Sequence, residues 1–570
     1  MLFNIDMINI LYKKDDLRYI FFKGIDKKGK SDLKNLEKYL NKIPAYQFMR
    51  GYRGVPKPEV FLNKFISKDN DVIYYCHSGL YKTITDWCTE NHVDIDNVDD
   101  FLKYTDFNLS IDQFREYVSK WNLNLTPREY QIKAAWLILH YRQSLSQLAT
   151  RAGKTLIAYI VFRYLLENGV KKILMIVPSV QLVKQGVADF KDYKEFFQTE
   201  QIWAKSEYCD SANITIGTYQ SFIQRLDPKS KKYNPSFFNG YDCVLVDEAH
   251  HLICDSINKI LNQDFMKNVK LKFGFTGTLP KENTIESFCC HALMGPKLQD
   301  LTTAELVNGG FLAAPIITQY RIKYEFTEEL KNNFIKCAEY LCSNYKTDSE
   351  GKKILLPKDQ REFTITHEKI FPAALKTIKK EKNESDYMNF LVDMCKASGA
   401  NMLACEQMLV HRSKKHTDLV KKLTGNAKNK NCIVFAHHTE YVNFLADELK
   451  KEFPDRSICK ITGSTNLKKR QQVLDEMLEN NNVILVASYG CCGTGLTFKN
   501  VDYCILAQSF KSDIINLQSI GRMLLKTDEK SVAYIYDIID IFPTKSIYSQ
   551  GLAKINTYKK SNFEYSIVNI

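Results

Sequence analysis

The sequence predicts an α/β protein of two parallel-sheet lobes, with a mostly helical insert between them and a small α+β domain in front. Short apolar runs alternate with stretches apolar at helical spacing from Leu125 to about Tyr320, as buried strands and crossover helices do. The same alternation restarts at Asn431, and the stretch between, rich in Lys, Glu and Asn, lacks it. At 570 residues the chain exceeds what one hydrophobic core supports, so several domains are expected. The expected boundaries are 1–120 for the N-terminal domain, 121–320 for the first lobe and 321–428 for the insert. Residues 429–545 form the second lobe and 546–570 a C-terminal extension.

In the N-terminal part, Tyr19–Phe22 and Val72–Cys76 read as strands and Asp32–Leu40 as an amphipathic helix. Tyr46-Gln47-Phe48-Met49-Arg50-Gly51-Tyr52-Arg53-Gly54 interleaves aromatic, basic and glycine residues, which suits either base stacking or an ordinary turn. In the first lobe Leu156, Ile157, Ile160, Val161, Tyr164 and Leu165 fall at helical spacing, and Gly169 closes that helix. Ile173–Val177, stopped by Pro178, reads as a buried strand, as do Cys243–Val246 and Leu271–Phe275. The second lobe supplies strands at Ile433–Ala436, Val483–Ala487, Cys504–Ala507 and Val532–Tyr536. Residues 346–385 suggest no element and no role.

Hydrophobic content of 45% and charged content of 25% argue against disorder. A formal net charge of +13 favours a polyanionic partner such as nucleic acid, with general solubility as the lesser reading of a modest excess. The start carries Asp6 where a signal peptide needs a basic patch, and no apolar run approaches the roughly 18 residues of a membrane span. Cytoplasmic residence without a membrane partner is expected. The 16 cysteines are scattered and read as reduced small hydrophobes; Cys76, His77, Cys88 and His92 match no common zinc spacing.

Three segments carry chemistry. In Thr150-Arg151-Ala152-Gly153-Lys154-Thr155, a strand-to-helix loop exposes successive backbone N–H groups at the positive end of a helix, so phosphate binds there. Gly153 admits close backbone approach, Lys154 neutralises the β and γ phosphates, and the Thr155 hydroxyl holds magnesium. Two positions depart from the full phosphate-loop pattern: Leu148 stands where glycine is wanted, and Arg151 where a small residue is frequent. In Asp247-Glu248-Ala249-His250, Asp247 ends an apolar strand beside that loop and shares the metal with Thr155, while Glu248 orients and deprotonates the attacking water. In Gln518-Ser519-Ile520-Gly521-Arg522, Arg522, with Gln518 one helical turn earlier, brings charge stabilisation from a second domain.

With these segments in this order, and with Thr276-Gly277-Thr278 between them, the chain resembles superfamily 2 helicases over residues 125–540. Thr126-Pro127-Arg128-Glu129-Tyr130-Gln131 resembles their adenine-recognition segment, which implies Arg128 and Gln131 at the base. The resemblance implies two RecA-like lobes, ATP and Mg2+ as cofactors, and His250, Thr276, Gly277 and Thr278 as the coupling residues. It also implies Gly495 at the nucleotide, and Pro178, Ser179, Gln181, Gly217, Thr218, Tyr219, Gly463, Ser488 and Thr494 on the nucleic-acid strand. Backbone contacts of that kind position a strand without reading its sequence.

Ala487-Ser488-Tyr489-Gly490, Gly493-Thr494-Gly495 and Lys499-Asn500-Val501 are similar to the recombination and branch-migration helicases of T-even phages. That implies single-stranded and branched DNA as partner, R-loops with their RNA among the substrates, the host cytoplasm as location, and recombination or single-strand-binding proteins as associates. The N-terminal domain is then the candidate for substrate recognition. An RNA helicase, a restriction-system motor subunit and a DNA-annealing protein with weak ATPase stay open as alternatives. The family element continues to a second arginine, at whose place this chain has Leu525, followed by Lys526. Lysine cannot make arginine's bidentate contact, so a slower ATPase is expected.

Overall fold

The computed structural model describes the chain except for residues 1–7, 14–15, 43–58, 96–102, 203–211, 326, 329–344, 348–352, 356–401, 412, 493–497, 499, 509–512, 528–529 and 543–544. It divides into two compact units, 1–302 and 303–570. Tyr46–Gly54, singled out as a stacking segment, lies outside the described residues.

The first unit holds two sheets. Seven parallel strands run, edge to edge, Lys297–Leu301, Gln143–Leu148, Leu271–Thr276, Cys243–Asp247, Ile173–Val177, Ile214–Thr218 and Thr199–Ile202. The central ones are buried at nearly every position, the mark of a sheet covered by helices on both faces. Leu145, Leu174, Ile176, Val244 and Val246 form a core with helices such as Tyr219–Leu226 and Ile285–Met294. Leu148 is the last residue of its strand and fully buried, which explains how leucine stands at this position. It extends the sheet instead of opening the loop.

The second sheet is antiparallel, in the order Ile8–Lys13, Asp16–Gly24, Val72–His77, Asn63–Ile66. Helices Lys27–Leu40 and Tyr81–Glu90 complete its core, which also takes in Phe288 and Ala292 of the first lobe. The two sheets are thereby fused. A Cβ at Gly79 would lie 2.0 Å from the carbonyl oxygen of His291, so only glycine allows the backbones to approach this closely. Gln143 Nε2 donates to Ser78 Oγ at 2.9 Å, and Lys42 Nζ to the Asn283 carbonyl at 2.7 Å.

The second unit is again a seven-stranded parallel sheet, ordered Ser457–Ile461, Val483–Ser488, Cys432–Ala436, Tyr503–Leu506, Val532–Ile541, Ala314–Lys323, Glu564–Asn569. Ala314–Lys323 corrects the sequence reading, which ran the first lobe to residue 320. Its ten residues pair with all ten of Val532–Ile541, and strand pattern alone does not reveal the sheet to which a strand belongs. The expected C-terminal extension is likewise part of this lobe. Helix Ser546–Lys560 packs on the sheet through Asp537, which is fully buried and accepts hydrogen bonds from Lys554 Nζ, Tyr558 Oη (3.0 Å) and Gln319 Nε2 (3.1 Å). Helices Met402–Val410 and Lys414–Gly425, expected in an insert ahead of the second lobe, belong to that lobe instead, since Leu409, Val410, Leu419, Val420 and Leu423 enter the core of its sheet. The described residues of 321–428 also include a short hairpin, Tyr345–Thr347 with Lys353–Leu355.

Candidate functional site

The site of the first unit forms at the C-terminal ends of its central strands, where a parallel sheet opens a crevice. After Gln143–Leu148 the chain turns tightly, with Ala149 N donating to Leu301 O (2.9 Å) and Ala152 N to Ala149 O (3.0 Å). Arg151 (φ 73°) and Gly153 (φ 78°) adopt left-handed backbone, and helix Lys154–Glu167 begins at once with no side-chain cap. Its first N–H groups therefore face the cup of the loop, as an anion site requires.

Gly153 is doubly constrained. Its φ suits glycine, and a Cβ there would lie 2.2 Å from Gln131 Nε2. Gln131, read from the sequence as the base reader, is buried; its Nε2 donates to Ala152 O (3.0 Å) and its Oε1 accepts from Arg128 N (2.9 Å). This amide braces the phosphate loop. Arg128 caps the start of helix Glu129–Leu139, and its guanidinium donates to Tyr130 Oη at 3.3 Å. Lys154 Nζ donates to Leu148 O at 3.3 Å, and Thr155 follows in the first helical turn.

Asp247 ends its strand two strands from the loop strand. Burial first, and then the Glu248 charge, push its carboxyl up to about 6, with Lys154 pulling the other way. Its Oδ1 accepts from Glu248 N at 3.0 Å. Glu248 takes a left-handed conformation at φ 53°, the backbone strain that functional turns hold. Its Oε2 lies 3.3 Å from His250 Nδ1, which is also 2.9 Å from Thr276 Oγ1. Thr276 is fully buried and already donates its hydroxyl proton to Thr278 O (2.9 Å), so the network assigns the proton between them to His250 Nδ1. Thr278 N donates back to Thr276 Oγ1 at 3.3 Å. A Cβ on Gly277 would sit 3.6 Å from Thr150 Oγ1, an ordinary contact, which places this segment against the phosphate loop.

Pro178 and Ser179 follow Ile173–Val177, and Thr218 ends the neighbouring strand, so these candidates share the same sheet edge. Ser179 Oγ accepts from Leu182 N (3.3 Å) to cap helix Val180–Tyr193, whose first turn carries Gln181. Thr218 Oγ1 accepts from Ser221 N (3.3 Å) in the same way, and Tyr219 packs on the core. Gly217 has a packing reason to be glycine, since a Cβ would meet Phe222 Cζ at 2.4 Å.

In the second unit, Gly463 lies exposed after Ser457–Ile461, and Ser488 ends Val483–Ser488, buried. Thr494 and Gly495 lie outside the described residues. Gln518 and Arg522 share helix Asp513–Met523, and Arg522 is largely buried. The chain beyond Arg522 is pinned to its own lobe: Ala313 N donates to Leu524 O (2.9 Å), Leu525 bridges Leu312, and Lys526 Nζ donates to Gly310 O (3.0 Å). Lys526, considered as a substitute for the second arginine, is thus committed to that carbonyl. Sequence reasoning missed Lys530, a buried lysine whose ammonium donates to Met523 O and Val501 O. It holds the C-terminal end of the arginine helix, where a cation also complements the helix dipole. In the sequence nothing sets Lys530 apart, since it stands in a charged run, Lys526-Thr527-Asp528-Glu529-Lys530.

Residues 124–281 match the family of type III restriction enzyme res subunits, and residues 414–524 match the helicase conserved C-terminal domain. The ATP-dependent DNA helicase UvsW of Enterobacteria phage T4 is 27% identical over 487 residues, covering 80% of this chain and 81% of its own. A putative helicase 22 of Sulfolobus islandicus filamentous virus (isolate Iceland/Hveragerdi) is 22% identical over 449 residues, covering 77% and 67%. The crystal structure of T4 UvsW aligns over 99% of both chains with a TM-score of 0.43 and 21% identity.

Proposed function

Because the chain is an ATP-dependent helicase of superfamily 2, we propose that it is a DNA motor that unwinds and remodels branched molecules such as forks, D-loops and R-loops. The observation that carries the motor reading is the continuous contact from Glu248 through His250 and Thr276 to Thr278, lying against phosphate-loop residue Thr150. Similarity to a phage DNA helicase supports DNA as the polymer.

In this reading Lys154 neutralises the β and γ phosphates, and Glu248 orients the attacking water and takes its proton. The His250 ring lies beside that carboxylate, with Nδ1 at 3.3 Å from Glu248 Oε2, while its N–H bonds Thr276. Arg522 stabilises charge in the transition state, held by the Lys530 contact at its helix end. Thr155 and Asp247 are a fitting donor pair for Mg2+, since a carboxyl raised first by burial and then by the Glu248 charge favours a nearby cation. Bound there, magnesium would neutralise phosphate charge.

The test is the rate of ATP hydrolysis on single-stranded, forked, four-way and R-loop DNA, with matched RNA duplexes. Stimulation greatest on branched DNA is expected. A clear preference for RNA duplexes would overturn the DNA reading, and equal rates on branched and linear strands would remove the remodelling part.

A further inference from the structure

The outer face of the N-terminal sheet carries a cluster of aromatic rings that neither the nucleotide site nor the hydrophobic core uses. On its two central strands Ile20, Phe22, Tyr74 and Cys76 enter the core. Strand alternation therefore puts Tyr19, Phe21, Tyr75 and His77 on the opposite face. Tyr19 pairs with His77 and Phe21 with Tyr75, with ring centroids 4.8 and 5.8 Å apart, the second pair stacked. Phe65, on the edge strand, lies 6.0 Å from Tyr75 and 6.4 Å from Phe21 and is 44% exposed. The other four rings are half-buried.

We propose that this face is a stacking platform for the bases of single-stranded nucleic acid. A four-stranded sheet with aromatic residues on its central strands stacks two or three unpaired bases, and stacking tolerates any base because each has a π-face. A cation for the phosphates is at hand: Lys23 follows Phe21 by two residues on the same face, paired with Asp71 at 2.5 Å and still partly exposed. Residues 1–95 carry 16 Lys plus Arg against 12 Asp plus Glu, the balance that a polyanion meets favourably. The platform rests on the nucleic-acid motor reading and adds to it a place where a displaced strand is held apart from the nucleotide site.

The experiment measures binding of the full chain, without ATP, to an oligothymidylate and to an abasic strand of equal length. Stacking is worth about 1–3 kcal/mol per base, roughly 5- to 150-fold. The native chain should therefore prefer the base-bearing strand by about tenfold or more. The Phe21→Ala, Tyr75→Ala double variant should lose that preference, and Phe21→Tyr with Tyr75→Phe should keep it. DNA-independent ATP hydrolysis should be unchanged in both, which also reports an intact fold. Equal binding of the two strands by the native chain, or an unaltered preference in the alanine variant, overturns the platform. So does photo-crosslinking of 5-iodouracil strands only to segments other than this face, a measurement that needs no variant. Loss of a protein partner with base preference intact would assign the face to protein and overturn the proposal equally. DNA-stimulated hydrolysis is scored separately, so the platform can fail while the motor stands.

Discussion

Glu248 shows how one residue is placed for chemistry: its left-handed backbone turns the carboxylate off the strand end, to within 3.3 Å of His250 Nδ1. Glu248→Gln keeps shape and removes the base, so ATP binding should persist while kcat for hydrolysis falls by about 10²-fold or more, read in single-turnover assays. His250→Ala removes the bridge to Thr276 instead. It should lower strand separation more than ATP hydrolysis, so the ratio of base pairs opened to ATP consumed drops, and an unchanged ratio would dismiss the coupling role. The two loop glycines make an opposed pair. Gly153→Ala meets both a left-handed φ and Gln131 at 2.2 Å, whereas a Cβ at Gly277 finds ordinary contact distances from 3.6 Å outward. The first substitution should weaken nucleotide binding and the second should leave it near native, measured with a fluorescent ATP analogue.

Element ends decide the second lobe. Glu406, on helix Met402–Val410, accepts from Ser546 N (3.0 Å) and Ile547 N (2.6 Å) and so caps helix Ser546–Lys560. Burial outweighs those hydrogen bonds and pushes its carboxyl up to about 7 from the ordinary 4.5. An acid raised on folding binds its proton more tightly in the native state. Its stabilisation is therefore full below pH 4.5 and is lost as pH rises through about 7, with a slope of at most about 1.4 kcal/mol per unit. Thermal melts of the native chain and Glu406→Gln between these limits should converge at the acid end and separate toward neutrality, the variant melting higher. Lys530 acts on the arginine helix in the same way. Lys530→Met should lower kcat for ATP hydrolysis with KM for ATP little changed, because the helix end at Met523 loses its anchor while the phosphate loop is untouched.

At the scale of the molecule, residues 1–302 are one unit because two sheets share a core around Phe288 and meet backbone to backbone at Gly79. Gly79→Val should split that unit, and limited proteolysis should then release the N-terminal sheet, which stays protected in the native chain. A net charge of +13 and expected contacts to phosphate make binding electrostatic. Affinity for single strands should fall linearly on a log scale with salt and differ little among base sequences, as titrations at several ionic strengths would show.

How much was legible in the sequence follows from the range of each force. The alternating apolar runs, the Gly153-Lys154-Thr155 turn and the Asp247-Glu248 pair are local, set by backbone geometry and by burial of one short segment, and the sequence by itself determined the two α/β lobes, their most apolar strands and the strand-to-helix turn before Lys154. Contacts between distant segments left no such mark. Only the tertiary structure decided that Ala314–Lys323 pairs in the second sheet, that Gln131, expected at the base, braces the loop, and that Lys530 holds the arginine helix. The physical reason is that strand pairing is sealed by backbone hydrogen bonds, which any sequence can make, and a buried ammonium is fixed by carbonyls more than 5 residues away or on another segment.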